Sequence, residues 1–156
     1  MLKQIDAVAK PVVRATGIGP VHDVLGVTHV YKALAHETGG LVSVWEAAVP
    51  QGAGAPPHRH ADEDEAFYVL EGAATLDVAG ETRVLGAGSF VYSPRGVAHA
   101  FRNDGPGMLR MLVLCLPGGL ERMFGAMDDA ARGKPAPEPA RIAAIAAAHG
   151  VSIGGA

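Results

Sequence analysis

The stretch PPHRHADEDEAFYVLEG, Pro56 to Gly72, decides how this chain is interpreted. His58 and His60 are separated by one residue, and four acidic residues follow at 62–65, at the start of a run typical of a β-strand. On an extended strand, side chains at positions i and i+2 point to the same face, so the two imidazoles converge and Arg59 points away. Such a pair can bind one metal ion, with a carboxylate as a third ligand. Local spacing does not decide which of the four carboxylates is the third ligand. It also leaves open the alternative that all four lie in a solvated loop.

Short apolar runs separated by Gly, Pro and Asp turns dominate residues 10 to 117. Runs of this length and spacing, without alternating helices, predict an all-β sandwich or barrel. Beyond N-terminal strands at about 10–35, the predicted strands are 41–49, 66–72, 74–80, 89–94, 98–103 and 108–117.

The chain changes character after Pro117, where the pattern becomes helical. The segment 118–133 predicts a short helix with Leu120, Met123, Phe124 and Met127 on one face. A rigid linker at 134–139 leads to a second helix, which starts at Pro139 and stops at Gly150. We expect both helices to pack on the barrel. We therefore predict one domain, 1–156, made of N-terminal strands (1–40), a barrel core (41–117) and a helical tail (118–156).

Composition excludes several classes of function. The chain has 156 residues, 49% of them apolar, and a net charge of −3 without a basic stripe, so we expect no nucleic-acid partner. No apolar run is long enough to span a membrane, and the first residues do not read as a signal peptide. The single cysteine, Cys115, cannot form an internal disulfide and is expected in the core. These features favour a cytoplasmic protein.

Two spaced patterns resemble the two signature motifs of the cupin superfamily. They are Gly52-x5-His58-x-His60-x4-Glu65-x6-Gly72 and Gly88-x5-Pro94-x-Gly96-x2-His99-x3-Asn103. All ten fixed positions are filled, and 15 residues separate the patterns. The resemblance covers about residues 41 to 117 and implies a double-stranded β-helix, the jelly-roll barrel of the cupins.

The resemblance also implies a ligand set for one divalent metal ion: His58, His60, Glu65 and His99. Glu65 is chosen over Asp64 because only Glu65 satisfies the family spacing to both His60 and Gly72. The ion can be Fe, Mn, Ni, Co, Cu or Zn, which the donor set does not separate. The other acidic residues of the run are then expected in a solvated loop, and Asn103 in a structural hydrogen bond. The remaining histidines are expected at the surface or in packing: His22, His29, His36 and His149.

The barrel interior is the expected substrate pocket, with largely apolar walls that suit an aromatic ligand. Strand alternation places Phe67 and Val69 on the face of Glu65, and Phe101 on the face of His99. Further candidates for the wall, whose direction alternation does not fix, are Trp45, Tyr92, Met111, Tyr31 and Val113.

The segments after Pro117 resemble the ending of small bacterial cupins grouped with quercetin 2,3-dioxygenase. That resemblance implies a metal-dependent dioxygenase that acts on a flavonol-like or other aromatic, enolisable small molecule and O₂. Glu65 would then be both metal ligand and catalytic base. Another metal-assisted enzyme, such as an isomerase, cyclase or lyase, and a non-catalytic metal or small-molecule binding module are the alternatives. The family also implies a homodimer.

Overall fold

The computed structural model describes residues 10–132 and 137–154, which form two antiparallel β-sheets and two short helices. The strands are β1 (Val21–Val24), β2 (Val27–Ala33), β3 (Ser43–Val49), β4 (Gly54–His60), β5 (Asp64–Glu71), β6 (Ala73–Val78), β7 (Glu81–Gly86), β8 (Phe90–Ser93), β9 (His99–Arg102), β10 (Leu109–Leu116) and β11 (Val151–Ile153). The helices are α1 (Glu121–Ala131) and α2 (Pro139–Ala148).

The two sheets face each other across one apolar core. One has the strand order β1-β2-β3-β10-β5-β8 and the other β11-β4-β9-β6-β7. Strand β10 illustrates how the sequence builds this core: Leu109, Met111, Val113 and Cys115 are buried, and the residues between them are more exposed. This arrangement confirms the predicted jelly-roll fold.

The predicted core strands correspond to β3, β5, β6, β8, β9 and β10. Three strands are not among the predicted segments, and one of them is β4, although its two histidines were expected on an extended strand. Strand β7 pairs with β6 at an exposed edge, and the three-residue β11 pairs with β4. The predicted N-terminal strands are β1 and β2, which pair with each other, and β2 pairs with β3.

The tail helices pack as predicted, and α1 covers the barrel with its apolar face. Leu120, Met123 and Met127 are buried, and Phe124 packs against the core. The carboxylate of Glu121 fixes the start of α1, because it accepts hydrogen bonds from the Ala35 amide (2.9 Å) and the Ser43 hydroxyl (2.5 Å). Residues 134–136 of the predicted linker lie outside the described residues, as do residues 1–9.

Within the described ranges, neither helix has the length and apolar character that a membrane crossing requires.

Candidate metal centre

Three histidines of the five-stranded sheet meet one glutamate of the six-stranded sheet. His58 and His60 lie on β4 with one residue between them, and both turn into the barrel. Strand β9 pairs with β4 so that His99 lies opposite His58 in register. Glu65 comes from β5, in the facing sheet, and is 5% exposed. The predicted ligand set is therefore brought together from both sheets inside the barrel.

The four side chains converge on one point. The Oε2 atom of Glu65 lies 2.9 Å from Nε2 of His99, 3.2 Å from Nε2 of His60 and 3.9 Å from Nε2 of His58. One donor atom from each of the four residues lies within 4.8 Å of every other. Two atoms that are each about 2.1 Å from a common ion lie roughly 3 to 4 Å apart. The spacing of the cluster therefore fits a single ion.

The outer nitrogen of each imidazole faces a partner that favours a proton on it. Nδ1 of His58 lies 2.8 Å from the carbonyl oxygen of Pro56, and Nδ1 of His99 lies 3.1 Å from that of Val97. Nδ1 of His60 lies 3.6 Å from the carboxylate of Glu63. Because a neutral imidazole carries one N–H, these partners leave the inward Nε2 lone pairs available to a metal.

His60 provides the test of fit. Its side chain is fully buried, yet neither ring nitrogen has a well-aligned hydrogen-bond partner among the described residues. A buried polar atom without a partner carries a substantial free-energy cost. A cation bound at Nε2 would satisfy the inward atom, and the residues present therefore fit a divalent ion.

The electrostatics of the cluster are strongly coupled. Burial alone would raise the pKa of Glu65, but the adjacent imidazoles of His60 and His99 outweigh burial and hold it well below its usual range. Burial opposes protonation of His60, yet Glu63 and Glu65 outweigh this and raise its pKa to about 9. Burial lowers the pKa of His58 to about 4. The negative charge of the buried Glu65 is therefore compensated by the imidazoles around it.

The motif glycines and Asn103 fix the turns around the site. The amide of Gly96, at φ +79°, donates to the carbonyl of His60 at 2.8 Å, which ties the second motif to the first. Gly72, at φ +76°, lies so close to the Met108 carbonyl that a Cβ atom would approach its oxygen to 2.8 Å. Asn103 is buried and donates to the carbonyls of Val49 (2.8 Å) and Gly107 (2.7 Å). Asn103 thus makes the structural hydrogen bonds predicted for it.

An apolar cavity that is partly open to solvent adjoins the cluster. Of the predicted wall residues, Phe67, Phe101, Trp45 and Val113 line it. The tail completes the wall with side chains from α1, α2 and β11: Leu120, Met123, Phe124, Met127, Ala146, Val151 and Ile153. Outside the four-residue cluster the wall contains no acidic or basic side chain other than the neutral His29, so it favours an uncharged, apolar ligand.

Four predicted wall residues lie elsewhere in the described part of the chain. Val69, Met111 and Tyr31 point inward but are buried in the core away from the cavity. Tyr92 is 51% exposed, because Ser93 takes the inward position on β8 and its neighbour must face out. The predicted wall is corrected at these positions.

The acidic run is not simply a solvated loop. Glu63 faces His60, and its Oε2 atom is buried. Asp64 begins β5 and accepts hydrogen bonds from the Arg95 amide (2.9 Å) and from Nε (3.0 Å) and Nη2 (3.1 Å) of its guanidinium. These bonds hold the pKa of Asp64 well below its usual range. Of the three acidic residues expected in solvent, only Asp62 is exposed.

Cys115 is buried as expected, and it lies beside the first motif. It lies opposite Glu65 in the pairing of β10 with β5. Burial raises the pKa of its thiol far above the ordinary value. Cys115 is therefore a packing residue beside the ligand strand.

One histidine that was expected at the surface or in packing lines the cavity. His29 lies on β2 between Val27 and Tyr31, and all three side chains are buried. The alternation V-x-H-x-Y over residues 27–31 was the signal in the sequence that places this imidazole inside the barrel.

Comparison with known proteins agrees with this geometry. The family model described as "Cupin domain" matches residues 45–115. Quercetin 2,3-dioxygenase of Bacillus subtilis is 30% identical over 105 residues, which are 67% of this chain and 31% of that enzyme. The chain spans between 31% and 51% of the length of the curated relatives it matches.

Solved structures share the fold. The polyketide cyclase RemF from Streptomyces resistomycificus aligns with a TM-score of 0.57 at 25% identity, covering 70% of this chain and 80% of that one. A predicted oxalate decarboxylase from Thermotoga maritima aligns with a TM-score of 0.62 at 22% identity, covering 69% and 99%. The family match, together with the two facing sheets and both filled motifs, shows that residues 45–115 are a cupin domain and that the chain is a small cupin.

Proposed function

We propose that this cupin is a metal-dependent dioxygenase that acts on a flavonol-like or other aromatic, enolisable small molecule. The observation that carries the proposal is the cluster of three histidines and one glutamate beside an apolar cavity. The similarity to quercetin 2,3-dioxygenase of Bacillus subtilis supports the choice of substrate class.

The ligands would be His58, His60, Glu65 and His99, which hold one divalent ion of Fe, Mn, Ni, Co, Cu or Zn. When bound, the ion supplies positive charge that stabilises an enolate or phenolate oxygen and leaves coordination positions free of protein ligands. The outer partners of the imidazoles keep the three rings oriented toward that position.

The apolar wall has two roles in this mechanism. Trp45, Phe67 and Phe101 offer flat surfaces on which an aromatic ring packs, and they orient its oxygen toward the cluster. The same wall limits the access of water to a developing carbanion or enolate.

Glu65 is the proposed base. Among the side chains that line the cavity it is the one carboxylate, and a substrate hydroxyl must lose a proton as it approaches the cluster. The adjacent imidazoles of His60 and His99 lower the basicity of Glu65, so the carboxylate accepts a proton only as those contacts loosen.

A second candidate is a metal-assisted cyclase or isomerase without net oxidation. The alignment with the polyketide cyclase RemF at 25% identity favours it, because an apolar cavity beside a cation also suits an aromatic polyketide. In this mechanism Glu65 would again move a proton, and no O₂ would be consumed.

Oxygen uptake separates the candidates. Protein reconstituted anaerobically with each metal is mixed with quercetin in an oxygen electrode, with chelated protein and His99→Ala as controls. The dioxygenase predicts uptake that depends on the metal and is lost in both controls. Substrate conversion under argon would instead support the cyclase or isomerase, and binding without conversion would indicate a non-catalytic module.

A further inference from the structure

The wall of the cavity contains polar side chains that do not belong to the ligand cluster. Five of the lining side chains carry nitrogen or oxygen atoms: His58, His60, Glu65, His29 and Trp45. The first three belong to the ligand cluster. His29 does not, because its nitrogens are outside the set of donor atoms that lie within 4.8 Å of one another.

The ring of His29 is held rigidly by aromatic neighbours. It stacks on Phe124 of α1, with ring centroids 4.5 Å apart and an interplanar angle of 24°. On β3, Trp45 lies against it at 6.2 Å and 55°. Glu121 anchors the start of the helix that carries Phe124. An imidazole fixed in this way presents its polar edge in one direction.

The polar edge of His29 is incompletely satisfied. The residue is 5% exposed, and its Nδ1 atom has no hydrogen-bond partner within residues 10–132 and 137–154. Burial lowers the pKa of His29 to about 4, and the charge of Glu65 offsets this only in part. The imidazole is therefore neutral near pH 7, with one N–H donor and one acceptor nitrogen.

A purely structural role explains these features poorly. Phenylalanine or leucine would pack against Phe124 and Trp45 without leaving a buried nitrogen unpaired, which costs free energy. Because the ring lines the cavity, a ligand there that brings a hydroxyl or carbonyl group to one of its nitrogens would gain a hydrogen bond in a dry site.

We propose that His29 is a substrate-positioning residue that hydrogen-bonds a second polar group of the ligand. The substrate class is thereby narrowed to aromatic molecules with two polar groups, one oxygen for the ligand cluster and a separate hydroxyl or carbonyl for His29. This inference rests on the proposed function for the identity of the first group.

Two flavonols test the inference directly. Quercetin carries hydroxyl groups on both of its ring systems, whereas 3-hydroxyflavone carries only the 3-hydroxyl beside the 4-carbonyl. Dissociation constants for both are measured under argon on metal-loaded protein, from quenching of Trp45, the single tryptophan, which lines the cavity. The readout is the ratio of the two constants, which does not depend on turnover.

Three variants are compared with wild type. His29→Phe keeps the aromatic packing and removes both nitrogens, whereas His29→Gln keeps a hydrogen-bond donor and an acceptor. His36→Phe is the matched control, because it makes the same change on an exposed turn outside the cavity. We expect wild type and His36→Phe to prefer quercetin, His29→Phe to lose roughly tenfold of that preference, and His29→Gln to retain part of it. Metal content and thermal unfolding of each variant identify those that fail to fold.

The outcomes separate the two proposals. An unchanged preference in folded His29→Phe overturns the role of His29 and leaves the dioxygenase standing. Binding of both flavonols by wild type without O₂ uptake overturns the dioxygenase, while the ratio still decides the role of His29. Failure of wild type to bind either flavonol overturns both.

Discussion

The Oε2 atom of Glu63 lies 3.6 Å from Nδ1 of His60, on the ring nitrogen opposite the one that faces Glu65. His60 is thus placed between two carboxylates, one in the ligand cluster and one behind it. An outer carboxylate of this kind orients a metal-bound imidazole and increases its electron donation.

Replacing Glu63 with Gln should weaken metal binding without removing a ligand. We expect the affinity for the metal to fall by roughly tenfold or more, because a neutral amide polarises the Nδ1–H group of His60 less than a carboxylate does. Competition with a chromophoric chelator measures the change. Asp62→Asn removes a neighbouring, exposed charge and is the matched control. Equal losses in both variants would mean that only the general negative potential matters.

Asp64 and Arg95 form a clamp between the acidic run and the turn that leads to His99. Asp64→Asn removes the charge from the three hydrogen bonds with Arg95, and we expect a loss of about 1 kcal/mol in the free energy of unfolding near pH 7. Denaturant titration of wild type and variant measures it, with Asp62→Asn as control.

The pH dependence gives a second check on this clamp. Because the folded protein holds the pKa of Asp64 below its unfolded value of about 4, the stabilisation is fully present above that pH and is lost as the pH falls below it. The difference between wild type and Asp64→Asn should therefore shrink between about pH 4 and pH 2. A difference that stays constant over this range would assign the effect to packing.

Only part of the ligand set could be predicted from local spacing. His58 and His60 lie on β4, where strand alternation turns both to one face, but the same reasoning left four carboxylates open as the third ligand. The resemblance to the two motifs supplied Glu65 and also His99, which lies on a strand distant in sequence. The result is a ligand set whose four donors meet in the structure.

The wall of the cavity was less predictable because alternation gives the face of a residue but not its depth along the barrel. Val69 and Phe67 share a face, yet only Phe67 reaches the cavity. Strand β11 was missed because three residues carry no pattern, and its pairing partner β4 lies about ninety positions earlier in the chain. The place of His29 in the cavity wall was not predicted, because its stacking partner Phe124 lies on a helix that is distant in sequence.

The homodimer stays a prediction. The N-terminal strands expected to cover an edge or pair with a partner are paired within the chain, as β1 with β2 and β2 with β3. At the opposite edge of that sheet, Phe90 on β8 is 62% exposed and lies beside the half-exposed Tyr68 of β5. An apolar, unpaired strand edge favours association.

Sedimentation at micromolar concentration tests the dimer. We expect wild type to have twice the mass of the chain and Phe90→Asp to shift towards the monomer, since a charge would be buried at the contact. Val84→Asp changes a residue that is 72% exposed on β7, at an edge of the other sheet, and is the matched control. A wild-type monomer would contradict the prediction.

Glu65→Gln separates the two roles proposed for Glu65. The amide keeps the shape of the side chain and one oxygen donor, so we expect part of the metal to remain bound. It cannot accept a proton at neutral pH, so O₂-consuming turnover of quercetin should fall by roughly 10²-fold or more. Metal content is measured on the same samples as oxygen uptake, so that turnover is expressed per bound ion. Among the side chains that line the cavity, Glu65 is the one carboxylate, which leaves a substrate proton no equivalent acceptor there. If turnover per ion stayed near the wild-type value, the base would have to be a residue outside this wall or the substrate itself, and the metal-ligand role of Glu65 would stand alone.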